Sequence, residues 1–333
     1  MSTSETFARK ALEMQAGQGW IGWLRILLIC AALVVVSFGV LDHFGTDYTY
    51  LAAYTILQFV VLATAWNILA GYAGYVNFGS AGFFAIGVYT SVVLYKTLQP
   101  PVYLTLPVAG LAAGLVGLAM GYLTLRLRGV FFSIATFALA IMLSTIIINW
   151  PFVGGARGVY IVRPGVIEGF GTYARYLFAI MLGLAIFSVL VARALERSWL
   201  GRGLGALRDD EAAAECAGVP TLRLKLIATA VSGALMGMAG APFPYFVSFV
   251  DPATAFNLQI ALNTIAMPLI GGIGTWIGPV LGAILLGSLQ QIAAVTISSA
   301  ANVLVVGLLL MIFVAVAPKG IVGLYTRWRE TRE

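Results

Sequence analysis

Few side chains of this 333-residue chain are of the types that do chemistry, and the densest group lies at residues 208–218, RDDEAAAECAG. Four carboxylates and one guanidinium at this spacing can form ion pairs or contact another protein. The single histidine, His43, and two distant cysteines, Cys30 and Cys216, form no metal cluster, disulfide framework or nucleophile–base pair. We therefore expect no catalytic site, metal or cofactor.

The sequence also lacks the motifs that would let the chain drive uphill transport by itself. A Walker A loop needs a glycine before a lysine that is followed by serine or threonine. Only Lys96 precedes such a residue, and Tyr95 stands before it. Ionisable side chains inside a membrane mark proton relays, and the long apolar runs of this chain carry essentially none. Uphill transport would therefore depend on a partner that hydrolyses ATP, and without such a partner the chain would be a channel.

The composition excludes an ordinary soluble protein. Apolar residues make up 61% of the chain and charged residues only 10%, whereas soluble domains carry about 25% charged residues. Residues 252–318 contain no Asp, Glu, Lys or Arg at all. One membrane span needs about 20 residues, so this run alone is long enough for several. We predict an integral membrane protein.

The chain divides at glycines, prolines and polar clusters into about ten predicted spans, with eight to ten as the range. We predict an all-α bundle, because a lipid-exposed backbone must form its hydrogen bonds within its own segment. The eighth span is short and ends in glycine, which suggests a tilted or broken helix. The spans lie near residues 21–41, 50–70, 80–98, 102–125, 129–150, 173–193, 224–247, 257–272, 277–297 and 301–317.

Lysine and arginine predict the orientation, since they collect in cytoplasmic loops. With the N-terminus inside, fifteen of the nineteen fall on the inner side and four on the outer side. The net charge of +6 then reflects membrane topology and not a nucleic-acid partner. We expect a cytoplasmic N-terminal segment (1–20), a transmembrane domain (21–317) with a cytoplasmic segment at 194–225, and a cytoplasmic tail (318–333) in a multi-pass membrane protein.

Within the cytoplasmic segment, good helix formers at 206–217 predict a helix. Gly218 followed by Pro220 is a typical stop signal. Leu207, Ala214 and Ala217 can share one stripe of this helix, and three charged residues lie on the neighbouring face. Two interpretations fit: a solvated helix with internal ion pairs, or a docking helix for a soluble partner.

Four stretches resemble the M-type subunit of the branched-chain amino acid ABC importer permeases. The resemblance covers roughly residues 48–325. It is carried by RDDEAAAECAG at 208–218, GYAGYVNFGSAGFFAIGVYT at 71–90, GGIGTWIGPVLGA at 271–283 and PKGIVG at 318–323.

The resemblance implies a homologous second permease subunit, two cytoplasmic ATPase subunits, and a periplasmic or extracellular substrate-binding protein facing the outer loop 151–172. It also implies an ATPase-coupling motif, although four residues separate its Ala-Ala pair from its glycine where the general importer motif has three. We expect Glu211 to pair with a basic group of the ATPase. The implied coupling residues are Gly203, Leu207, Arg208, Asp209, Asp210, Glu211, Ala212, Ala213 and Gly218.

Five glycines at 71–87 recur at 271–287, four of them with an offset of 200. Their spacing suggests an internal repeat. Glycine is costly inside a helix, so these stretches are either close helix contacts or broken helices that line a path. Uncharged polar side chains near them would let a zwitterion pass without trapping it, or would bond helix to helix. The candidate path residues are Asn77, Ser80, Gln259, Asn263 and Thr264.

The sequence therefore predicts a permease subunit of an ABC importer that forms the path for branched-chain or other small amino acids. A related permease for urea, short amides or aromatic acids is the alternative, and a stand-alone channel is a third possibility. A docking helix discriminates against the channel, which has no need of one. A membrane enzyme is disfavoured because no catalytic cluster lies near a span end.

The topology can be tested with a reporter that is active only in the periplasm. Fused after Glu333, it should be inactive, because the excess of inner basic residues places the C-terminus in the cytoplasm. Periplasmic activity of this fusion would contradict the topology.

Overall fold

The computed structural model describes residues 46–124, 129–162, 171–296 and 320–323, together with residues 39, 127, 307, 308 and 311. Residues 51–333 belong to one compact unit and residues 1–50 to a second. The predicted spans at 21–41 and 301–317 and the two terminal segments fall almost entirely outside the described residues.

The described part is almost wholly helical, as predicted. Two residue pairs form a small antiparallel ladder, in which Val159 faces Val250 and Tyr160 faces Phe249. The helices are α1 (Asp47–Ala73), α2 (Ser80–Thr97), α3 (Val102–Thr124), α4 (Val130–Ile148), α5 (Tyr173–Arg197), α6 (Trp199–Asp209), α7 (Glu211–Cys216), α8 (Thr221–Gly240), α9 (Phe243–Val247), α10 (Pro252–Ala255), α11 (Leu258–Gly271) and α12 (Gly278–Thr296), and the strands are β1 (Val159–Tyr160) and β2 (Phe249–Val250).

Seven segments of the described part are long and apolar enough to cross a membrane: α1, α3, α4, α5, α8 with α9, α10 with α11, and α12. The expected short eighth span is confirmed as the 14-residue α11, which follows the four-residue α10. The predicted span at 80–98 is the helix α2, although its Ser, Thr, Tyr and Lys side chains make it less apolar than the seven. The total of ten spans stays a prediction.

The centre of the bundle is formed by α1 from residue 51 onward, α2 and α8. Most of their residues are buried, as expected of helices enclosed by others. In α1, Tyr54, Trp66 and Leu69 are buried, and Ser232 of α8 donates a hydrogen bond to the carbonyl of Ala65 at 2.7 Å. By contrast, α4 exposes most of its apolar side chains, as a helix against lipid or another protein would.

Glycines allow α2 and α8 to pack with their backbones in contact. A Cβ atom at Gly87 would overlap the carbonyl oxygen of Gly237, and one at Gly240 would overlap that of Phe84. Small residues at such crossings are typical of membrane helices, because association there depends on close van der Waals packing.

The structure groups the connecting segments at the two ends of the bundle. At one end, Lys96 donates to the carbonyl of Phe152 at 2.8 Å, and β1 pairs with β2. At the other end, the loops 74–79 and 272–277 meet the segment 198–220. These two groups are the ones that the predicted topology places on opposite sides of the membrane. Which group faces the cytoplasm stays a prediction.

Replacing Gly87 by alanine should destabilise the protein, because the new methyl group overlaps backbone atoms of α8. Overpacking of this kind typically costs about 1–3 kcal/mol, and the measurement is thermal unfolding of the purified protein in detergent. Gly183→Ala is the matched control, because Gly183 is also helical, in α5, and a methyl group added there would have no neighbouring atom within 4 Å. Equal unfolding temperatures for the two variants would show that the α2–α8 contact is not tight.

Candidate functional site

The segment after α5 contains two short helices, where the sequence predicted one helix over 206–217. The single helix is wrong, because Asp210 adopts an extended backbone (φ −157°, ψ 111°) between α6 and α7. Its carboxylate accepts hydrogen bonds from the amides of Ala212 at 2.9 Å and Ala213 at 3.1 Å. An aspartate with this geometry caps a new helix start, so local capping overrides the helix-forming composition.

The predicted stop at Gly218 is confirmed. Gly218 has φ of +81° and donates to the carbonyl of Glu215 at 2.9 Å, while Val219 donates to that of Ala214 at 3.0 Å. These two bonds form a Schellman motif, in which the left-handed residue at the helix end is usually glycine.

The two helices have a buried and an exposed face. Leu204, Leu207 and Ala214 are buried. Gly203 lies against Leu224, whose Cδ1 would be 2.7 Å from a Cβ at this position, so glycine allows α6 to pack on α8. Ala217, which was expected to share the stripe of Leu207, is exposed because α7 is a separate helix with its own phase. From Arg208 to the helix stop, the exposed residues are Arg208, Asp209, Asp210, Ala212, Ala213, Glu215, Cys216, Ala217 and Gly218; Trp199, Arg202 and Ala206 are exposed earlier in α6.

Glu211 is held from inside its own chain. One carboxylate oxygen forms an ion pair with the ammonium of Lys225 on α8, and the other accepts a hydrogen bond from the hydroxyl of Tyr75 at 2.5 Å. The side chain of Lys225 is 3% exposed and that of Glu211 is 15% exposed. The Lys225 ammonium also lies 4.6 Å from the centre of the Tyr75 ring. Glu211 was expected to pair with a basic group of a partner protein, but its carboxylate already has two partners within this chain.

Arg208 extends from the last turn of α6 to the end of α1. Its Nη1 donates to the carbonyl of Gly71 at 3.0 Å, a group in the last turn of a helix that has no partner within the helix. The neighbouring carboxylate of Asp209 lies 3.7 Å from the Arg208 Nε and is 78% exposed.

The two glycine-rich stretches meet at this end of the bundle. Asn67 is fully buried; its amide donates to the carbonyl of Thr275 at 3.0 Å and accepts from the amide of Gly274 at 3.0 Å. A Cβ at Gly71 would stand 2.8 Å from the Gly274 nitrogen. Gly71 and Gly274 therefore make a close contact, at the point where each stretch leaves its helix in a six-residue loop, at 74–79 and 272–277. That the stretches line a path stays a prediction.

Glu196 adds a second link to the loop 272–277. Its carboxylate accepts from the hydroxyl of Tyr72 at 3.2 Å and from the backbone amide of Trp276 at 3.0 Å. The guanidinium of Arg193 lies 4.8 Å from the centre of the Trp276 ring. Sequence reasoning missed Lys225, Tyr75, Asn67 and Glu196. Only Lys225 carried a signal, as a lysine at the start of an apolar span fourteen residues after Glu211.

Four of the five candidate path residues are buried and only Gln259 is partly exposed. Asn263 accepts from Gln290 at 3.1 Å, and the Thr264 hydroxyl donates back to Ile260 at 2.6 Å. The Asn77 Nδ2 and Ser80 Oγ atoms have no hydrogen-bond partner among the described residues.

A cavity of about 180 Å³ lies beside these residues, between α2, α4 and the start of α11. None of the five candidate path residues lines it, although Phe78 and Ala81 are their neighbours in sequence. Its lining is mainly apolar: Phe78, Ala81, Phe137, Ala140, Ile141, Ser144, Phe256, Leu258 and Ala261.

Comparison with known proteins agrees with this architecture. The family described as the branched-chain amino acid transport system permease component matches residues 48–315 of the chain. The chain belongs to this family. The permease is accordingly a membrane transport subunit.

Named relatives fit the same assignment. The permease is 29% identical over 287 residues to the high-affinity branched-chain amino acid transport system permease protein LivM of Escherichia coli K12, which covers 79% of this chain and 67% of that protein. It is 29% identical over 253 residues to LivM of Salmonella typhimurium, with 68% and 59% covered. It is 26% identical over 273 residues to the probable LivH of Methanocaldococcus jannaschii, with 77% and 85% covered. The chain thus spans about three-fifths to two-thirds of the LivM proteins. No solved structure matches the permease significantly.

Glu211→Lys should destabilise the permease, because it would place a second ammonium against the buried Lys225. Breaking a buried ion pair by removing one member costs about 3–5 kcal/mol. Thermal unfolding in detergent measures the loss, and the exchanged pair Glu211→Lys with Lys225→Glu should recover most of it.

The control is Asp209→Lys, since the carboxylate of Asp209 is largely exposed and an exposed pair contributes at most about 1 kcal/mol. If Glu211→Lys unfolds at the same temperature as this control, the ion pair does not hold the segment.

Proposed function

We propose that the permease is the transmembrane subunit of an ATP-binding-cassette importer for branched-chain or other small amino acids. The observation that carries the proposal is the segment at 198–220 in a member of this family. It presents a short helix with exposed alanines while its other face is bound to the bundle. A stand-alone channel has no need of such a helix.

The exposed face of α7 is the proposed contact with the ATPase. Ala212 and Ala213 are small, so a partner can approach the helix closely, and the turn at Gly218 fixes where the helix ends. Asp209, Asp210 and Glu215 give this face a negative charge, which favours a basic groove on the partner. Glu211 then contributes from the inner face, by fixing the helix to α8.

The remaining partners follow from the same proposal. Two cytoplasmic ATPase subunits hydrolyse ATP, a homologous permease subunit completes the path, and a periplasmic or extracellular binding protein delivers the substrate to the opposite end of the bundle. The chain then spans the bacterial inner membrane about ten times with both termini inside. The substrate passes near Asn77, Ser80, Gln259, Asn263 and Thr264.

The substrate class rests on the relatives. The names of LivM and LivH refer to branched-chain amino acids, and the uncharged polar residues near the glycine stretches suit a zwitterion. Urea, short amides and aromatic acids form the alternative class.

Uptake of labelled leucine by cells that express the complete importer tests the proposal. Because the spans hold essentially no ionisable side chain that could relay protons, uptake should require ATP and should survive collapse of the proton gradient while ATP is maintained. Uptake that disappears with the gradient under those conditions would contradict it. Competition by urea, amides and aromatic acids separates the substrate classes.

A matched pair of variants tests the docking face in the same experiment. Ala213→Trp adds a bulky side chain to the exposed face of α7 and should abolish co-purification of the ATPase and uptake without lowering the unfolding temperature. Ala156→Trp adds the same side chain to an exposed alanine at the other end of the bundle, and ATPase association should be normal. Normal association of both variants would place the ATPase contact elsewhere.

A further inference from the structure

The side chain of Arg208 lies in a cradle of three glycines from both glycine stretches. Its Nη1 is 3.0 Å from the carbonyl oxygen of Gly71. A Cβ at Gly274 would stand 2.9 Å from the same Nη1, and one at Gly74 would stand 3.0 Å from the Arg208 Cγ. A side chain at position 74 or 274 would therefore overlap the space that the Arg208 side chain occupies.

Gly74 and Gly274 lie in two loops of equal length that each join two helices. Gly74 is the first residue of the loop 74–79, between α1 and α2, and Gly274 is the third residue of the loop 272–277, between α11 and α12. Their φ angles are +77° and +80°, a backbone conformation that glycine adopts without strain. A single side chain of the segment 198–220 thus lies against a left-handed glycine in each of the two loops.

The rest of the segment 198–220 is also bound to the bundle, so a movement of the segment can be passed on through its contacts. Glu211 is bound to Lys225 and Tyr75, and Leu204 and Leu207 are buried against the bundle. A displacement of α6 and α7 would therefore act on the loop 74–79 through Tyr75 and Arg208, and on the loop 272–277 through Arg208. Because the guanidinium is a rigid planar group, it transmits such a movement better than a flexible ammonium would.

We propose that Arg208 is a positioning residue for energy coupling: it acts inward, on the loops 74–79 and 272–277, and passes movement of the segment to α2 and α12. The proposal rests on the function proposed above. It assigns Arg208 a role distinct from ATPase binding, which belongs to the exposed face of α7. A direct contact between Arg208 and the ATPase is the competing possibility, since 46% of the Arg208 side chain is exposed.

The test is Arg208→Met in the complete importer, purified with its ATPases and binding protein and reconstituted in vesicles. Methionine keeps an unbranched apolar stem and removes the donors. ATPase association and ATP hydrolysis should stay within about twofold of wild type, and leucine uptake should fall by about tenfold, as expected when a hydrogen bond to a charged group is lost. The ATP hydrolysed per leucine transported then rises by about the same factor.

Arg202→Met is the matched control, because Arg202 is an exposed arginine of the same helix, and its contact within the segment is a long 3.5 Å bond to the carbonyl of Arg197. It should leave the ratio of hydrolysis to uptake unchanged. If Arg208→Met behaves like this control, the proposal is wrong. It is also wrong if uptake falls together with ATPase association, since Arg208 then contacts the ATPase.

A double-mutant cycle tests the cradle itself. Gly274→Ala should raise the ratio of ATP hydrolysed to leucine transported in the wild type, because its methyl group displaces the guanidinium. In the Arg208→Met background the same substitution should change the ratio by less than about twofold, since contacting residues are not additive. Gly183→Ala should have no effect in either background. Additive effects of Gly274→Ala and Arg208→Met would contradict the proposal.

The proposed function and this inference fail in different ways. If the wild-type vesicles show no ATP-dependent leucine uptake, the proposed function fails. If they show it and the Arg208→Met vesicles keep the wild-type ratio, only the role of Arg208 fails.

Discussion

A side chain at Gly71 would overlap the backbone of Gly274, and the rest of this end of the bundle depends on this contact between the end of α1 and the loop 272–277. Two helices, α1 and α11, end here inside the protein, where their last carbonyl groups have no helical partner. Asn67 binds the opposite loop, and Arg208 takes the carbonyl of Gly71. Asn67 is fully buried, and a buried polar group without a hydrogen-bond partner is costly, so the contacts stabilise this end of the bundle while the loops and the segment 198–220 stay together.

This arrangement explains why charged residues lie inward in a chain with so few of them. The carboxylates of Glu196 and Glu211 do not extend into solvent; they bind the loops and α8 through backbone amides, tyrosine hydroxyls and Lys225. If one member of such a pair is removed, the other is left buried without a partner. The protein then loses more free energy of unfolding than the bond itself contributes. The outer face keeps the small alanines that a partner can approach. The inner face of the segment is therefore bound to the bundle and its outer face is exposed. The proposed relay of movement between two proteins needs both faces.

Much of the helix pattern could be predicted from the sequence, since charge-free apolar runs can only become helices in a membrane. The helical stop at Gly218 was predictable for a local reason, the left-handed backbone that glycine tolerates. The break at Asp210 was also a local event, but helix-forming composition concealed it. The ion pair of Glu211 was beyond sequence reasoning, because fourteen residues and a turn separate Glu211 from Lys225 and no helical periodicity joins them.

The sequence by itself determined the class of protein, the family, the approximate helices of the described part and the position of the charged segment at 198–220. These follow from composition, from local backbone preference and from short motifs, all of which act over a few turns of helix. Only the tertiary structure decided which side chains face inward. Asn67 and Gly274 are about 200 residues apart, as are the glycines of the two loops. Their contact depends on how whole helices pack, and the spacing of residues along one helix carries no information about that.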